Sequence, residues 1–389
     1  MPEKNLLFIT SRFPPSPGGA ETYAGDLVFH LKEFGWNVYV ICDKFSVNKN
    51  IKSTNFYSGQ KVKFIEIPEK DITNINLVKW RIYQFGLLGE LEKVISSLPT
   101  IDLIHANSIE SAVLARIVAD HLNVPLVATI HEHAPEGLPF GKGRCRLAFE
   151  RLGIDALIAP SNFYYNRALK WNFPKDKLHL VTHGVSKERL KFTKEMQFKL
   201  EWGGKEFLYV VLIGRIYEPK GILVLIEAAK LLQNLPQIKF IIVGPDGPGD
   251  YSKEVRKKIS DYGLSYSIKL IGEVDPILVP DVIRSSDIIV APSLAEGFGL
   301  TVVEAMIIGK PIIASDVGGL SQIIDNNKNG LHISAGDFID LANKIKMLAS
   351  DELLRNKLSN NARIHAQKNF SATKMAKHTS HIYEQLLCR

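Results

Sequence analysis

Glu296 and Glu304 bracket the stretch EGFGLTVVE, in which Gly297 and Gly299 make a turn and the apolar residues after Leu300 begin a helix. A helix opening there would present the backbone N–H groups of Gly297, Phe298, Gly299 and Leu300 at its positive end, an arrangement that suits a diphosphate. A carboxylate on each flank can accept hydrogen bonds from sugar or ribose hydroxyls. A nucleotide-sugar has those three parts. Upstream, in LIGRIYEPKG, Arg215 and Lys220 follow an apolar strand and flank the start of the next helix. Either both cations reach a phosphate, Arg through a bidentate fork and Lys as a compact charge, or they are solvated surface charges.

A second group of residues lies near the amino terminus. The loop SRFPPSPGGAE holds three prolines that stiffen it, and Gly18 and Gly19 before the helix carrying Glu21 either allow close backbone approach by a phosphate or sugar or make only a Pro/Gly turn. It lacks GxGxxG, so it is not a dinucleotide fingerprint. His131 follows the strand LVATI in HEHAPEG, where it can bond a sugar hydroxyl, orient an acceptor or exchange a proton, or serve only as a satisfied loop histidine. HEHxxE is not HExxH, and Pro135 and Gly137 interrupt any metal-binding helix, so no metal site is expected. Lys142, Arg144, Arg146 and Arg151, with Arg167 beyond them, form a basic cluster that either borders the site and favours a phosphate-bearing or acidic acceptor or lies on a solvated face. Gly318 and Gly319 are either a close-approach point for ligand or a structural turn.

These residues need a scaffold that holds several loops on one side. Short apolar runs at 5–10, 38–41, 62–67, 101–105, 126–130 and 156–159 alternate with longer amphipathic segments, the signature of a parallel sheet covered by helices. The rhythm restarts near 206, with strands at 207–213, 238–243, 268–271, 288–291 and 311–314, helices at 221–232, 252–262 and 279–285, one long helix over 340–368, and a final helix within 370–388. The fold class is therefore α/β, two Rossmann-like doubly wound parallel-sheet domains facing across a cleft. The ligand is expected there, at the carboxyl ends of the strands.

The bulk properties agree with this plan. At 389 residues the chain exceeds what one core usually supports, and 46% apolar with 23% charged residues is ordinary for a soluble protein. The formal charge of +7 suits an anionic partner, and no aromatic-interleaved nucleic-acid module accompanies it, so nucleic acid is not expected. Three scattered cysteines argue against a disulfide framework. No signal peptide or membrane span is evident, which places the protein in the cytoplasm. The segment 77–98, with Trp80, Tyr83, Phe85 and Leu87 beside Lys79 and Arg81, is either a core-facing helix or a peripheral contact with the inner face of the membrane.

Taken together, GGAE at 18–21, His131, GRIYEPKG at 214–221, EGFGLTVVE at 296–304 and VGG at 317–319 resemble the family 4 retaining glycosyltransferases of the B-type (GT-B) fold. The resemblance runs in order along nearly the whole chain. It implies an acceptor-binding domain over 1–190, a nucleotide-sugar-binding domain over 191–372, and a C-terminal helix at 373–389 that packs back on the first. It further implies that Gly18 and Gly19 meet donor phosphate and the acceptor side, that Arg215 and Lys220 neutralise the diphosphate, and that His131 bonds the transferred sugar near its 6-position. Glu296 would hold sugar hydroxyls at the reacting face and Glu304 the ribose. Glu21, Arg144 and Arg146 are the acceptor-side candidates. The implied activity is metal-independent and retaining: a hexosyl group moves from a UDP- or GDP-linked sugar, a substrate rather than a cofactor, to a glycan, glycolipid or polyprenyl-linked hydroxyl. The alternatives are an enzyme using a small free sugar or sugar phosphate as acceptor, and a non-catalytic partner subunit. Ser321 and Gln322 depart from the Pro and Glu usual after VGG, and His183 and Ser186 stand where Asn and Asp are common, which leaves donor preference open.

Overall fold

The computed structural model describes residues 4–43, 61–65, 88–131, 147–191 and 206–388. Its contacts fall into two compact units, 1–184 together with 372–389, and 185–371.

The first unit is built on a seven-stranded sheet, β1 (Lys4–Ile9), β2 (Trp36–Asp43), β3 (Lys61–Ile65), β4 (Leu103–Ala106), β5 (Leu126–Thr129), β6 (Ala156–Ala159) and β7 (Leu178–Leu180). The order is β3-β2-β1-β4-β5-β6-β7 and every pairing is parallel. Strands β4, β5 and β6 are buried along their whole length, as a sheet covered on both faces requires. Helix α1 (Gly19–Leu31) crosses from β1 to β2, and α2 (Ile109–Leu122) and α3 (Asn162–Lys170) follow β4 and β6. The side chains of Ser108 and Ser161 cap α2 and α3 by accepting from Ser111 N and Tyr164 N.

The second unit has a six-stranded parallel sheet of β8 (Leu208–Ile213), β9 (Ile238–Val243), β10 (Ile268–Gly272), β11 (Ile288–Ala291), β12 (Ile312–Ser315) and β13 (Leu331–Ile333), in the order β10-β9-β8-β11-β12-β13. Its helices are α4 (Ile222–Leu231), α5 (Tyr251–Asp261), α6 (Val279–Ser285), α7 (Leu300–Ile308), α8 (Leu320–Ile323), α9 (Phe338–Ser350) and α10 (Glu352–Asn369). Both sheets reverse their strand order beside their first strand, between β1 and β4 and between β8 and β11. Ligands of doubly wound sheets collect at the carboxyl ends of such pairs.

Two expectations change. The long helix over 340–368 is two helices, because Asp351 leaves helical geometry (φ −116°, ψ 93°) and its carboxylate caps α10 by accepting from Leu354 N at 2.8 Å. Strands β7 and β13 are additions to the expected set; at three residues each they are too short to show periodicity.

Helix α11 (Ala372–Leu387) belongs to the first unit, where it packs along α1. The indole Nε1 of the buried Trp36 donates to Ser380 Oγ at 2.9 Å, Lys4 pairs with Glu384 at 3.2 Å, and the Tyr383 hydroxyl bonds His105 Nδ1. Of the segment 77–98, residues 77–87 lie outside the described residues; 88–95 are helical, with Leu91 in the core of the first unit.

Candidate active site

In the second unit the site residues gather around the carboxyl ends of β8 and β11. After β8 the chain passes Gly214 and the exposed Arg215 into a 3-10 turn, Glu218–Lys220. The Pro219 carbonyl accepts from Leu294 N and Ala295 N at 2.8 and 3.3 Å, which ties that turn to the loop leaving β11. Lys220 Nζ thereby reaches Glu296 Oε2 at 2.6 Å. Burial alone lowers the Lys220 pKa, but the charge and hydrogen bond of Glu296 outweigh it and the net direction is upward, so Lys220 is an ammonium.

Close backbone packing holds the Glu296 loop in place. Gly318 has φ +53°, and a Cβ there would lie 1.8 Å from the Glu296 carbonyl oxygen; one at Gly319 would lie 2.4 Å from Phe298 Cα. The Gly319 N–H donates to that Glu296 carbonyl at 3.0 Å. These glycines are where two loops touch, which is the structural-turn role that the sequence left open for them. Beyond the loop, Gly299 (φ +104°) caps α7, whose first residue is Leu300. The Phe298 ring is buried edge-on to Phe370, so Gly297, Phe298, Gly299 and Leu300 offer a ligand mainly backbone.

Glu304, one turn into α7, is 4% exposed and is met by Arg189, whose Nη2 donates to Glu304 Oε1 at 2.6 Å. Sequence reading missed Arg189, which lies 115 positions away in the chain. Its segment is anchored on both sides: Val185 N donates to Phe370 O at 2.9 Å, and the Leu190 carbonyl accepts from Arg284 Nη2 at 2.5 Å.

In the first unit, α1 begins at Gly19 with Gly18 as its cap, both exposed, and the Glu21 carboxylate folds back over Gly18, where an added Cβ would lie 2.0 Å from Oε2. His131 stands just past β5. Its Nε2 lies 3.1 Å from Asn107 Oδ1, its main-chain carbonyl accepts from the Tyr164 hydroxyl at 2.9 Å, and the Tyr23 ring meets it edge-on at 4.9 Å. Tyr23 also stacks on His183 at 4.2 Å, and its hydroxyl lies 3.0 Å from Thr129 Oγ1, which is 2.8 Å from His105 Nε2. Burial pushes His131 and His105 down to about 3, and His183 well below the ordinary imidazole value, with the His131 charge adding to the effect on the other two. All three are neutral near pH 7. Asn107, Tyr23 and His183 were absent from the site expected from sequence, although His183 had stood out as an unusual residue.

Of the basic cluster, Lys142, Arg144 and Arg146 lie outside the described residues. Arg151 is exposed, and Arg167 stacks over Phe163 at 5.0 Å. Among the described residues no group of three or more His, Cys, Asp or Glu comes together to hold a metal ion, and no helix is long and apolar enough to cross a membrane.

Comparison with known proteins agrees with this geometry. Residues 17–189 match the family model Glycosyltransferase Family 4, and residues 192–365 match Glycosyl transferases group 1. The chain is 29% identical to an uncharacterised glycosyltransferase of Methanocaldococcus jannaschii over 98% of both chains. It is 27% identical to the UDP-Gal:alpha-D-GlcNAc-diphosphoundecaprenol alpha-1,3-galactosyltransferase of Escherichia coli, over 80% of this chain and 81% of that one. The crystal structure of Anabaena HepE in complex with UDP-glucose superposes with a TM-score of 0.80 at 23% identity, covering 98% of this chain and 100% of that one. The chain belongs to the GT-B glycosyltransferase superfamily. It is an enzyme that uses a nucleotide-sugar and transfers the sugar to an acceptor.

Proposed function

We propose that this enzyme transfers a hexosyl group, with retention of configuration, from a UDP- or GDP-linked donor to a hydroxyl of a glycan, glycolipid or polyprenyl-linked acceptor. The second unit carries the donor and the first unit the acceptor. The observation that carries this reading is the Lys220–Glu296 pair at 2.6 Å, held by the Pro219 carbonyl beside the opening turn of α7. It brings a cation of the kind that binds phosphate beside a carboxylate of the kind that accepts from hydroxyls, near the switch point of a doubly wound sheet, which supports the reading.

In this reading Arg215 and Lys220 take the diphosphate as its negative charge grows on bond breaking, together with the backbone at Gly297–Leu300. The two cations there supply the charge stabilisation that a divalent metal would otherwise give. Glu296, released from Lys220 when phosphate arrives, holds hydroxyls of the transferred sugar, and Glu304 takes the ribose. His131, Gly18, Gly19 and Glu21 serve the sugar and the acceptor from the first unit. With one carboxylate, Glu296, at the reacting face, retention is assigned to departure and attack on the same face, the leaving phosphate receiving the acceptor proton. The UDP-Gal named for the E. coli relative and the UDP-glucose bound to HepE support a UDP donor.

Calorimetry with UDP-, GDP- and ADP-glucose tests the reading, run on the wild type and on Glu304→Ala with thermal melts to verify folding. Selective binding lost in the folded variant is expected. A folded wild type that binds none of the three overturns the proposal.

A further inference from the structure

The β8–β9 pairing does not stop with the sheet. Past Ile213 and Val243, the last residues of the two strands, Gly214 N donates to Val243 O at 2.9 Å, Ile216 N to Pro245 O at 2.8 Å, and Gly247 N back to Ile216 O at 2.9 Å. The two chains run on as a narrow parallel ribbon as far as Ile216 and Asp246, which form a parallel bridge. Glycines in the segment GPDG allow that closeness: a Cβ on Gly244 would lie 2.0 Å from the Gly214 carbonyl oxygen, and one on Gly247 would lie 2.6 Å from the Ile216 carbonyl oxygen. Arg215 is exposed and sits between two residues bonded into the ribbon, of which Ile216 is 1% exposed. Helix α5 grips the ribbon at its far end. Ser252 and Arg256 are four positions apart and share a face of that helix. Ser252 Oγ donates to the Ile216 carbonyl at 3.4 Å, Arg256 Nη2 donates to both carboxylate oxygens of Asp246 at 2.9 and 3.1 Å, and Arg256 Nη1 donates to the Ser252 carbonyl at 3.0 Å. The guanidinium is thereby tied to its own helix and to the ribbon at once.

We propose that Asp246 is a positioning residue, held by Arg256, that fixes the ribbon so that Arg215 is presented in place to a nucleoside diphosphate. The inference rests on the reading above that gives Arg215 the diphosphate; the ribbon itself does not. An arginine whose backbone is pinned on both sides loses less freedom on closing over a phosphate than one carried by an unanchored loop. Asp246 and Arg256 keep 53% and 49% of their side-chain surface exposed, so the pair contributes little to overall stability. Its effect is local, at the end of the ribbon next to Arg215.

The test is calorimetry on the full chain with UDP, GDP and ADP, followed by the monophosphate of whichever binds most tightly. The ratio of the two affinities reads the phosphate contacts apart from those to base and ribose. Arg215→Ala should cut that ratio about thirtyfold, as removal of a charged hydrogen-bond donor does. Asp246→Ala should cut it about fivefold, the upper range for an exposed ion pair, with the thermal melt nearly unchanged, and Arg256→Ala should match it. In the Arg215→Ala background Asp246→Ala should add nothing, because it acts through that side chain. A ratio unmoved by Asp246→Ala, or a loss that persists in full in the Arg215→Ala background, overturns the positioning role and leaves Arg215 at the diphosphate. A ratio unmoved by Arg215→Ala, or a folded wild type that binds none of the three diphosphates, overturns the reading on which the role depends and the role with it.

Discussion

Each carboxylate assigned to the donor is paired with a cation, and the two pairs differ in kind. Lys220 and Glu296 keep 25% and 17% of their side-chain surface exposed, so parting them leaves each charge some contact with water and the pair can open to a phosphate. Lys220→Ala should lower the thermal melt less than loss of Arg189 does, while kcat/KM falls about 10²–10³-fold, the usual loss when one preorganised charge-stabilising group is removed. Arg189 and Glu304 keep only 10% and 6% exposed. Arg189→Met should therefore cost about 3 kcal/mol by taking the cation away from a buried carboxylate, and the double variant Arg189→Met/Glu304→Met should recover part of that, as urea unfolding of the cycle would show. The glutamates and the Arg215–Lys220 pair stand out in sequence because each shares a short motif. Arg189 and Asn107 do not, because the fold alone brings them to partners 115 and 24 positions away.

At the level of elements, the site is a set of loops whose shape depends on close backbone approach. Gly319→Ala should displace the Glu296 loop, since the added methyl has Phe298 Cα at 2.4 Å and the Gly297 carbonyl at 2.6 Å. Neither neighbour is a flexible side-chain end. The expected outcome is a folded protein, by circular dichroism, with donor affinity reduced at least tenfold in calorimetry. The buried strands were readable as apolar runs because a sheet covered on both faces excludes polar residues from them. What escaped is what periodicity does not encode. Strands β7 and β13 are three residues long, and the α9–α10 break depends on the Asp351 side chain choosing a cap over a continued turn. The family pattern located the glycines of VGG, and only coordinates showed that they face another loop.

For the whole molecule, the neutral histidines set a direction for pH dependence. His105, His131 and His183 have folded-state values depressed below the ordinary imidazole value, two of them to about 3. Below pH ~6.5 the unfolded chain binds protons that the folded chain does not, so stability is full above that value and falls as pH drops towards 3. Each such histidine steepens the loss by about 1.4 kcal/mol per pH unit in that window. Hydrogen exchange followed from pH 7 to pH 4.5, corrected for intrinsic rates, should show β4 and β5 losing protection before β8 and β9. The interleaving of the two units has a separate consequence. Unit one leaves off at 184 and resumes at 372, so its Trp36 and His105 wait for Ser380 and Tyr383. On the ribosome, the middle stretch has all its own residues first and can finish folding while the older, N-terminal sheet still lacks its last helix. Synthesis order and completion order are reversed, and a stop codon near 371 would injure the part of the protein made first.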